Sequence, residues 1–363
     1  MGHFPRILSH SRRLIASALV SGGYGGGRGR FTGLASGYGW RSRFGGRNGV
    51  RLLVAAGTML CMDTSSTPPE SRRAARRSLE ALALGDAFGE RWFPLFRFRE
   101  GLVPDKAYED VRARRLPDGP VWHWTDDTAM ALALHLVLTQ HGHVDQDRLA
   151  ACFALTFDAD QGRGYGHGMH VLLPELLVHP GDWRTLAPTL FEGGSLGNGA
   201  AMRVAPLGAW FAYDLELASA QAQLSAEVTH AHPQGVAGAV AVAVAAALSV
   251  RGELTLAEVA ARTPAGPVRD GLLKAAALPF TTEPWKAADL LGNGQHIRAD
   301  DTVPFAVWTA ARHPASLEDA LWATAEGFGD VDTTCAITGG IVGARVGVEG
   351  MPGEWLERRE GLG

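Results

Sequence analysis

The sequence predicts an all-α fold, and two observations support this. Apolar residues recur at three- and four-residue spacing in several long segments, as on the buried face of a helix, and Gly-rich or polar stretches separate these segments. Strand signals are few, because the alternation around Val236–Val244 fits an Ala-rich helix better. With 363 residues, 46% of them apolar and 20% charged, the chain can bury a large core. We expect a compact single-domain helical bundle.

The first 62 residues are rich in Gly, Arg and Ser, contain nine Arg and no acidic residue, and show neither helical nor strand periodicity. Three interpretations are open: an Arg-rich targeting peptide, a disordered RNA-binding arm, or upstream sequence attached by a wrongly chosen start codon. We favour the last, because Met59 and Met62 precede the point where ordinary composition begins. The predicted domains are therefore a low-complexity segment, 1–62, and a helical domain, 63–363.

Five helices can be predicted from periodicity and end signals. The first opens at Ser71 with basic residues and repeats Ala and Leu at helical spacing. The second starts with Thr125, Asp126 and Asp127, which are favourable first-turn residues. The run Val236–Val250 is about 15 residues long, short of the ~20 that span a bilayer, so we predict a buried helix there. The segments SLEDALWATAEGF and DTTCAITGGIVGARVG are the other two.

Two of the predicted helices begin with carboxylates and then become too apolar for the protein surface. Either start taken alone is explained as a helix cap. Packed side by side, however, they would gather four carboxylates and two hydroxyls, and an unpaired buried charge is costly. Hard oxygen ligands in this number suit Mg²⁺, Mn²⁺ or Ca²⁺. The candidate ligands are Thr125, Asp126, Asp127, Asp330, Asp332 and Thr333.

Two glycine-rich stretches are candidates for ligand binding through the backbone. The stretch Gly194–Gly208 is a turn that leads into a helix, and Gly162–Leu173 is a loop that enters another helix. Exposed backbone N–H groups in such turns can hold a diphosphate, although a simple turn explains either stretch taken alone.

Charge and cysteine content limit the function classes. After residue 62 the chain has 25 basic and 38 acidic side chains, a balance of −13. We therefore expect no general binding of nucleic acid, and any bound phosphate must be held by backbone donors or a metal ion. The three widely spaced cysteines form no C-x-x-C pair, so we predict a cytoplasmic protein without a disulfide framework.

Taken in order, these stretches resemble the ADP-ribosylglycohydrolase family, from about Ser71 to about Gly350. The most specific segments are WTDDT, GNGAAMRVAPLG and GDVDTTCAITGGIVGA. The resemblance implies an all-helical domain with two adjacent Mg²⁺ or Mn²⁺ ions in a cleft, held by the six candidate ligands above. It also implies that an ADP-ribose conjugate is the substrate. By the same match, the residues that contact ADP-ribose are Gly164, Gly166, Gly168, Ser195, Gly197, Asn198 and His230.

The resemblance implies metal-assisted hydrolysis of the bond at C1 of the distal ribose, with Asp127 and Glu90 as candidate acid or base. Family members that cleave serine-linked ADP-ribose carry a Glu where this chain has Phe93, and Met169 replaces a small polar residue of many relatives. Two alternatives are a non-catalytic ADP-ribose-binding protein and a two-metal phosphohydrolase. A zinc pair at His230 and His232 is disfavoured because further soft ligands are missing. We expect a monomer without a membrane partner.

Overall fold

The computed structural model describes residues 69–93 and 105–362, so the predicted low-complexity segment 1–62 lies outside the described residues. Within those two ranges the chain forms helices and, apart from two isolated bridges, no strand. The first nine helices are α1 (Pro69–Glu90), α2 (Asp105–Arg112), α3 (Asp126–His141), α4 (Gln146–Ala159), α5 (His167–Val178), α6 (Trp183–Thr189), α7 (Gly199–Met202), α8 (Ala205–Trp210) and α9 (Leu215–Glu227). The others are α10 (Pro233–Arg251), α11 (Leu256–Arg262), α12 (Pro267–Ala277), α13 (Pro284–Leu291), α14 (Ala299–Arg312), α15 (Leu317–Ala325), α16 (Val331–Val346) and α17 (Gly353–Arg358). The predicted all-α class is confirmed.

Helix α10 lies at the centre of the bundle and contacts α8, α9, α14 and α16. Its Ala and Val side chains are almost all buried, as the sequence predicts for this run. By length and composition α10 could cross a membrane, yet 83% of its most apolar window is buried inside the protein. The small side chains of α10 let the neighbouring helices pack closely around it.

Helices α1 and α16 approach each other closely because glycines line their contact. A Cβ added to Gly89 would lie 2.5 Å from the Val331 carbonyl oxygen, and one added to Gly339 would lie 2.5 Å from the Ala81 carbonyl oxygen. A larger residue at either glycine would force the two backbones apart. The packing therefore places the end of α1 against the carboxylate-bearing start of α16.

Two features differ from the sequence-based expectations. The segment after Asn198 forms two short helices, α7 and α8, and α8 begins beside Pro206, which lacks an N–H for a continuous helix. The resemblance was expected to end near Gly350, but α17 follows and belongs to the core. Its Trp355 stacks on Phe88 of α1 with ring centroids 4.5 Å apart.

Candidate active site

A buried carboxylate on α1, Asp86, joins that helix to the start of α3. Its oxygens accept hydrogen bonds from the backbone N–H of Thr125 at 2.9 and 3.1 Å and of Thr128 at 3.0 Å. The hydroxyls of the same two threonines lie 2.8 and 2.5 Å from Asp86 oxygens. Burial raises the pKa of Asp86 to about 7, although these hydrogen bonds oppose the rise.

The start of α3 is capped by Thr125, whose hydroxyl accepts a hydrogen bond from the Asp127 N–H. That hydroxyl lies 2.9 Å from Asp127 Oδ2 as well as 2.8 Å from Asp86 Oδ1. Since it carries one hydrogen, it donates to only one of these carboxylates at a time. The other oxygen, Asp127 Oδ1, is buried without a hydrogen-bond partner. Burial and then the charge of Asp86 raise the pKa of Asp127 well above its usual range.

The start of α16 is held by different contacts. Asp330, the residue just before α16, makes no side-chain cap. Instead Asp330 Oδ2 accepts a hydrogen bond from the Asn198 side chain at 2.6 Å, and the Asp330 N–H donates to the Asn293 carbonyl at 3.0 Å. Gly294, with a positive φ of 85°, leaves no room for a Cβ against Asp330. Burial, followed by the charge of Asp332, raises the pKa of Asp330.

The two helix starts and the end of α1 lie close enough for their charges to interact. Burial raises the pKa of Asp126, the charge of Asp332 raises it further, and the charge of Glu90 adds a smaller contribution. No three Asp, Glu, His or Cys side chains in ranges 69–93 and 105–362 are grouped tightly enough to ligate one ion as they stand. The donor set nevertheless fits a hard divalent cation, because it is made of carboxylate and hydroxyl oxygens and leaves Asp127 Oδ1 buried without a partner.

The glycine loop before α5 borders the start of α3 at one end only. Gly164, with φ of 91°, lies beside Asp126, and the Asp126 N–H donates to the Arg163 carbonyl at 2.8 Å. Gly166 precedes α5, and a Cβ added there would meet no atom within 4 Å. A Cβ added to Gly168 would instead meet the Phe191 ring at 3.0 Å. Gly164 and Gly166 are thus better placed than Gly168 for contact with a ligand at the carboxylates.

The C-terminal residues hold this loop in place. Arg163 lies over the Trp124 ring at 3.6 Å and makes two hydrogen bonds, at 2.7 and 2.8 Å, to the Glu360 carboxylate. The Glu360 N–H donates to the Trp122 carbonyl at 2.9 Å. Sequence reasoning missed Glu360, because it lies beyond the stretch in which motifs were recognised.

The second glycine loop, Gly194–Gly199, runs beside Asp330. Ser195 Oγ accepts a hydrogen bond from the Gly197 N–H at 3.3 Å, and Asn198 connects the loop to α16 as described above. Gly194, with φ of 88°, packs against the backbone at Ala231 and His232. The loop is therefore fixed between α16 on one side and the segment before α10 on the other.

His230 lies against this loop, and His232 does not share its surroundings. His230 Nδ1 is 2.8 Å from Thr229 Oγ1, whereas His232 Nδ1 accepts a hydrogen bond from the Gln234 N–H at 3.0 Å and caps α10. Each ring already has a separate partner. This arrangement further disfavours a zinc pair.

Helix α1 ends at Glu90, so Phe93 lies past the helix end and does not share its face with Glu90. Phe93 instead lines a cavity of about 380 Å³ next to Asp330, together with Trp285 and other residues. Met169 is buried, with 6% of its surface exposed. The cavity provides space beside the carboxylates for a group attached to a bound ligand.

The sequence model of one family, described as ADP-ribosylglycohydrolase, matches residues 67–362, a range that includes every described residue. The chain belongs to the ADP-ribosylglycohydrolase family. The match includes α17 and the C-terminal residues that hold Arg163.

Named relatives are similar to this chain over most of its length. ADP-ribosylhydrolase ARH3 of Homo sapiens is 32% identical over 278 residues, covering 66% of this chain and 75% of that protein. ADP-ribosylarginine hydrolase Tri1 of Serratia proteamaculans is 26% identical over 309 residues, covering 81% and 78%. A solved structure titled ADP-ribosylglycohydrolase-related protein complex superposes with a TM-score of 0.58 at 23% identity, covering 80% of this chain and 94% of that one, which shows the same fold.

At this site the structure shows central residues that were not among the predicted site residues. Asp86 has a local sequence signal, the Gly85-Asp86 pair inside an apolar helix, but its partners are 39 and 42 residues away. Arg203 and Thr229, next to His230, give no such signal.

Proposed function

We propose that this chain is a metal-dependent hydrolase that cleaves the glycosidic bond at C1 of the distal ribose in ADP-ribose conjugates. Family membership and the named relatives support hydrolysis of ADP-ribose conjugates. One observation carries the metal-dependent part of the proposal. Carboxylates from three helix ends meet in a buried site, where Asp127 Oδ1 has no partner and the pKa values of its neighbours are raised.

The residues that would hold two Mg²⁺ or Mn²⁺ ions are those at the two helix starts, because they offer hard oxygen ligands. When bound, the ions would neutralise the carboxylates and orient both a water molecule and the hydroxyls of the ribose. The ligands on α3 and before it would be Thr125, Asp126 and Asp127, and those at α16 would be Asp330, Asp332 and Thr333.

The chain's own groups would bind and orient the conjugate. Backbone N–H groups near Gly164 and in the Gly194–Gly199 loop would bind the diphosphate and the neighbouring ribose, and His230 would close this side of the site. The group released by the reaction would occupy the cavity beside Asp330 that Phe93 lines.

The proton transfer would involve a carboxylate at Glu90 or Asp127. As the bond between C1 and the leaving atom breaks, a water oxygen bonds to C1 and the carboxylate takes a proton from that water. The carboxylate then gives this proton to the leaving atom. The products are free ADP-ribose and the unmodified acceptor. The Glu90 charge contributes to the raised pKa of Asp126, which supports Glu90 as a candidate for this role.

The test uses the full chain with peptides mono-ADP-ribosylated on Arg or on Ser, in the presence of Mg²⁺, Mn²⁺ or a chelator. We expect free ADP-ribose, identified by mass, only when a divalent cation is present, and the two peptides report the acceptor preference. An Asp332→Asn protein prepared identically controls for contaminating hydrolases. Release of inorganic phosphate would instead indicate a phosphohydrolase, and tight ADP-ribose binding without turnover would indicate a non-catalytic binding protein.

A further inference from the structure

A buried cation, Arg203, lies directly behind the Gly194–Gly199 loop. Its side chain is fully buried, and no carboxylate of the described residues is within ion-pair distance of it. It donates hydrogen bonds to the Gly199 carbonyl at 3.2 Å, the Ser225 carbonyl at 2.9 Å and Thr229 Oγ1 at 2.9 Å. Burying a cation is costly. The charge of Asp126 and the Phe153 ring, whose centroid lies 4.4 Å from Arg203 Cζ, offset part of that cost.

The hydroxyl of Thr229 connects Arg203 to His230. A guanidinium can only donate hydrogen bonds, so Thr229 Oγ1 accepts the one from Arg203. The hydrogen of the hydroxyl is then available for its other neighbour, His230 Nδ1, at 2.8 Å. In a neutral imidazole that accepts at Nδ1, the single N–H is at Nε2. Among the described residues this hydroxyl has no other acceptor, so the chain of contacts favours the Nε2–H tautomer of His230.

The ring is neutral and its Nε2 lies at the glycine loop. Burial, with a smaller contribution from the charge of Arg203, lowers the pKa of His230 to about 3. A Cβ added to Gly199 would lie 2.9 Å from Nε2, and one added to Gly197 would lie 3.3 Å from it. Only glycines allow the ring to lie this close to the loop, so Nε2 lies against Gly197 and Gly199.

We propose that Arg203 and Thr229 are positioning residues that fix His230 in the Nε2–H tautomer, so that it donates a hydrogen bond to an oxygen of the ADP-ribose seated on the Gly194–Gly199 loop. This assignment rests on the proposed function for the identity of the ligand. The assignment of the tautomer rests only on the contacts of the protein.

Thr229 is a better probe than Arg203, because Arg203 also holds the Gly199 and Ser225 carbonyls, and its loss would disturb the loop directly. Thr229→Val keeps the shape of the side chain and removes the hydroxyl, while Thr229→Ser restores a hydroxyl. Thr263→Val is a matched control, since Thr263 is also buried and its hydroxyl bonds only to the Val259 carbonyl, on α11.

The first measurement is the tautomer of His230, read by NMR of ¹⁵N-histidine-labelled protein, with the resonance assigned by its loss in His230→Gln. We expect the Nε2–H form in the wild type and in Thr229→Ser, with no protonation of the ring down to pH 5. In Thr229→Val we expect a mixture of tautomers or the Nδ1–H form. An Nδ1–H ring in the wild type, or an unchanged ring in Thr229→Val, would overturn the proposal.

The second measurement is the affinity for ADP-ribose, together with KM and kcat on the conjugate. Losing a hydrogen bond to a charged ligand weakens binding roughly tenfold or more. We expect such a rise in Kd and KM for Thr229→Val with kcat changed little, recovery in Thr229→Ser, and no change in Thr263→Val. If the wild type binds no ADP-ribose, the proposed function fails. If the wild type binds it and Thr229→Val binds equally well, only the positioning role fails.

Discussion

Helices α3 and α16 both begin with carboxylates, but different contacts hold the two starts in place. The α3 start is fixed by side-chain hydrogen bonds, from the Thr125 cap and from the five contacts that converge on Asp86. The α16 start has no side-chain cap and is fixed by tight turns and by the Asn198 amide. A chain can therefore fix a carboxylate either by satisfying its oxygens or by packing its backbone.

The two kinds of contact distinguish residues that stabilise the fold from residues that are expected to act in the reaction. At the α3 start, the anchor Asp86 supports the fold, because removing it leaves buried donors without acceptors. At the α16 start, the Asn293 carbonyl and close glycine contacts hold the backbone, so we expect folding to tolerate neutral replacements of the carboxylates. We expect substitutions at the α16 start to reduce activity without loss of stability, and loss of the Asp86 anchor at the α3 start to reduce stability. The following predictions test this contrast, from the largest effect to the smallest.

The largest effect is expected for Asp332→Asn, which removes an anionic ligand from the α16 start. We expect turnover to be lost while the metal-free fold is retained or even stabilised, because clustered carboxylates repel one another. Mg²⁺ or Mn²⁺ should raise the Tm of the wild type and raise that of the variant much less. Equal metal-induced Tm shifts in thermal unfolding would contradict the two-ion proposal.

Glu90→Gln tests the end of α1, where the Glu90 charge acts on the Asp126 carboxylate. The substitution keeps the shape and removes the charge. Loss of a general base typically slows turnover about 10²–10⁴-fold, so we expect at least a hundredfold decrease, with affinity for ADP-ribose within a few-fold. Steady-state kinetics and titration calorimetry measure the two quantities. Near-normal turnover would leave the aspartates as the base.

Asp86→Ala should destabilise the metal-free protein by about 3–5 kcal/mol, the typical cost of removing one partner from a buried charged network. Asp86→Asn retains a carbonyl acceptor, so we expect a smaller loss of unfolding free energy than for Asp86→Ala. Urea unfolding of both variants gives the free energies. A loss below about 1 kcal/mol for Asp86→Ala would mean that packing alone fixes the α3 start and that the contrast with α16 is wrong.

The smallest effect concerns pH and the metal-free protein. Burial raises the pKa of Asp86 from 3.8 to about 7, so above pH 4 the folded state binds more protons than the unfolded state. This contribution to stability is complete below pH 4 and is lost as pH rises through 7. Buried His230, with its pKa lowered, acts in the opposite direction between about pH 3 and 6.5.

Comparing wild type with Asp332→Asn cancels the histidine contribution. We expect the two metal-free proteins to be similar in stability near pH 5 and the variant to gain on the wild type towards pH 8, by on the order of 1 kcal/mol. Urea unfolding in a chelator across this range measures the difference. A difference that is constant with pH would show that the carboxylates are not coupled.

The sequence alone determined the helical class, the carboxylates of the two helix starts and the glycines of the two loops. These features are readable because their causes are local: a helical period, a cap such as Thr125 and a turn that requires glycine all involve residues within one or two turns of each other. The buried position of α10 was predictable from composition for the same reason.

Only the tertiary structure decided which groups act on these residues. Asp86 reaches Thr125 across 39 positions, Arg203 reaches Thr229 across 26, and Glu360 reaches Arg163 across 197. No periodicity or spacing connects such pairs, because helix packing selects them when α1 meets α16 and the chain end returns beside α3. The sequence supplied the chemical groups of the site, and packing supplied their partners and, through burial, their raised pKa values.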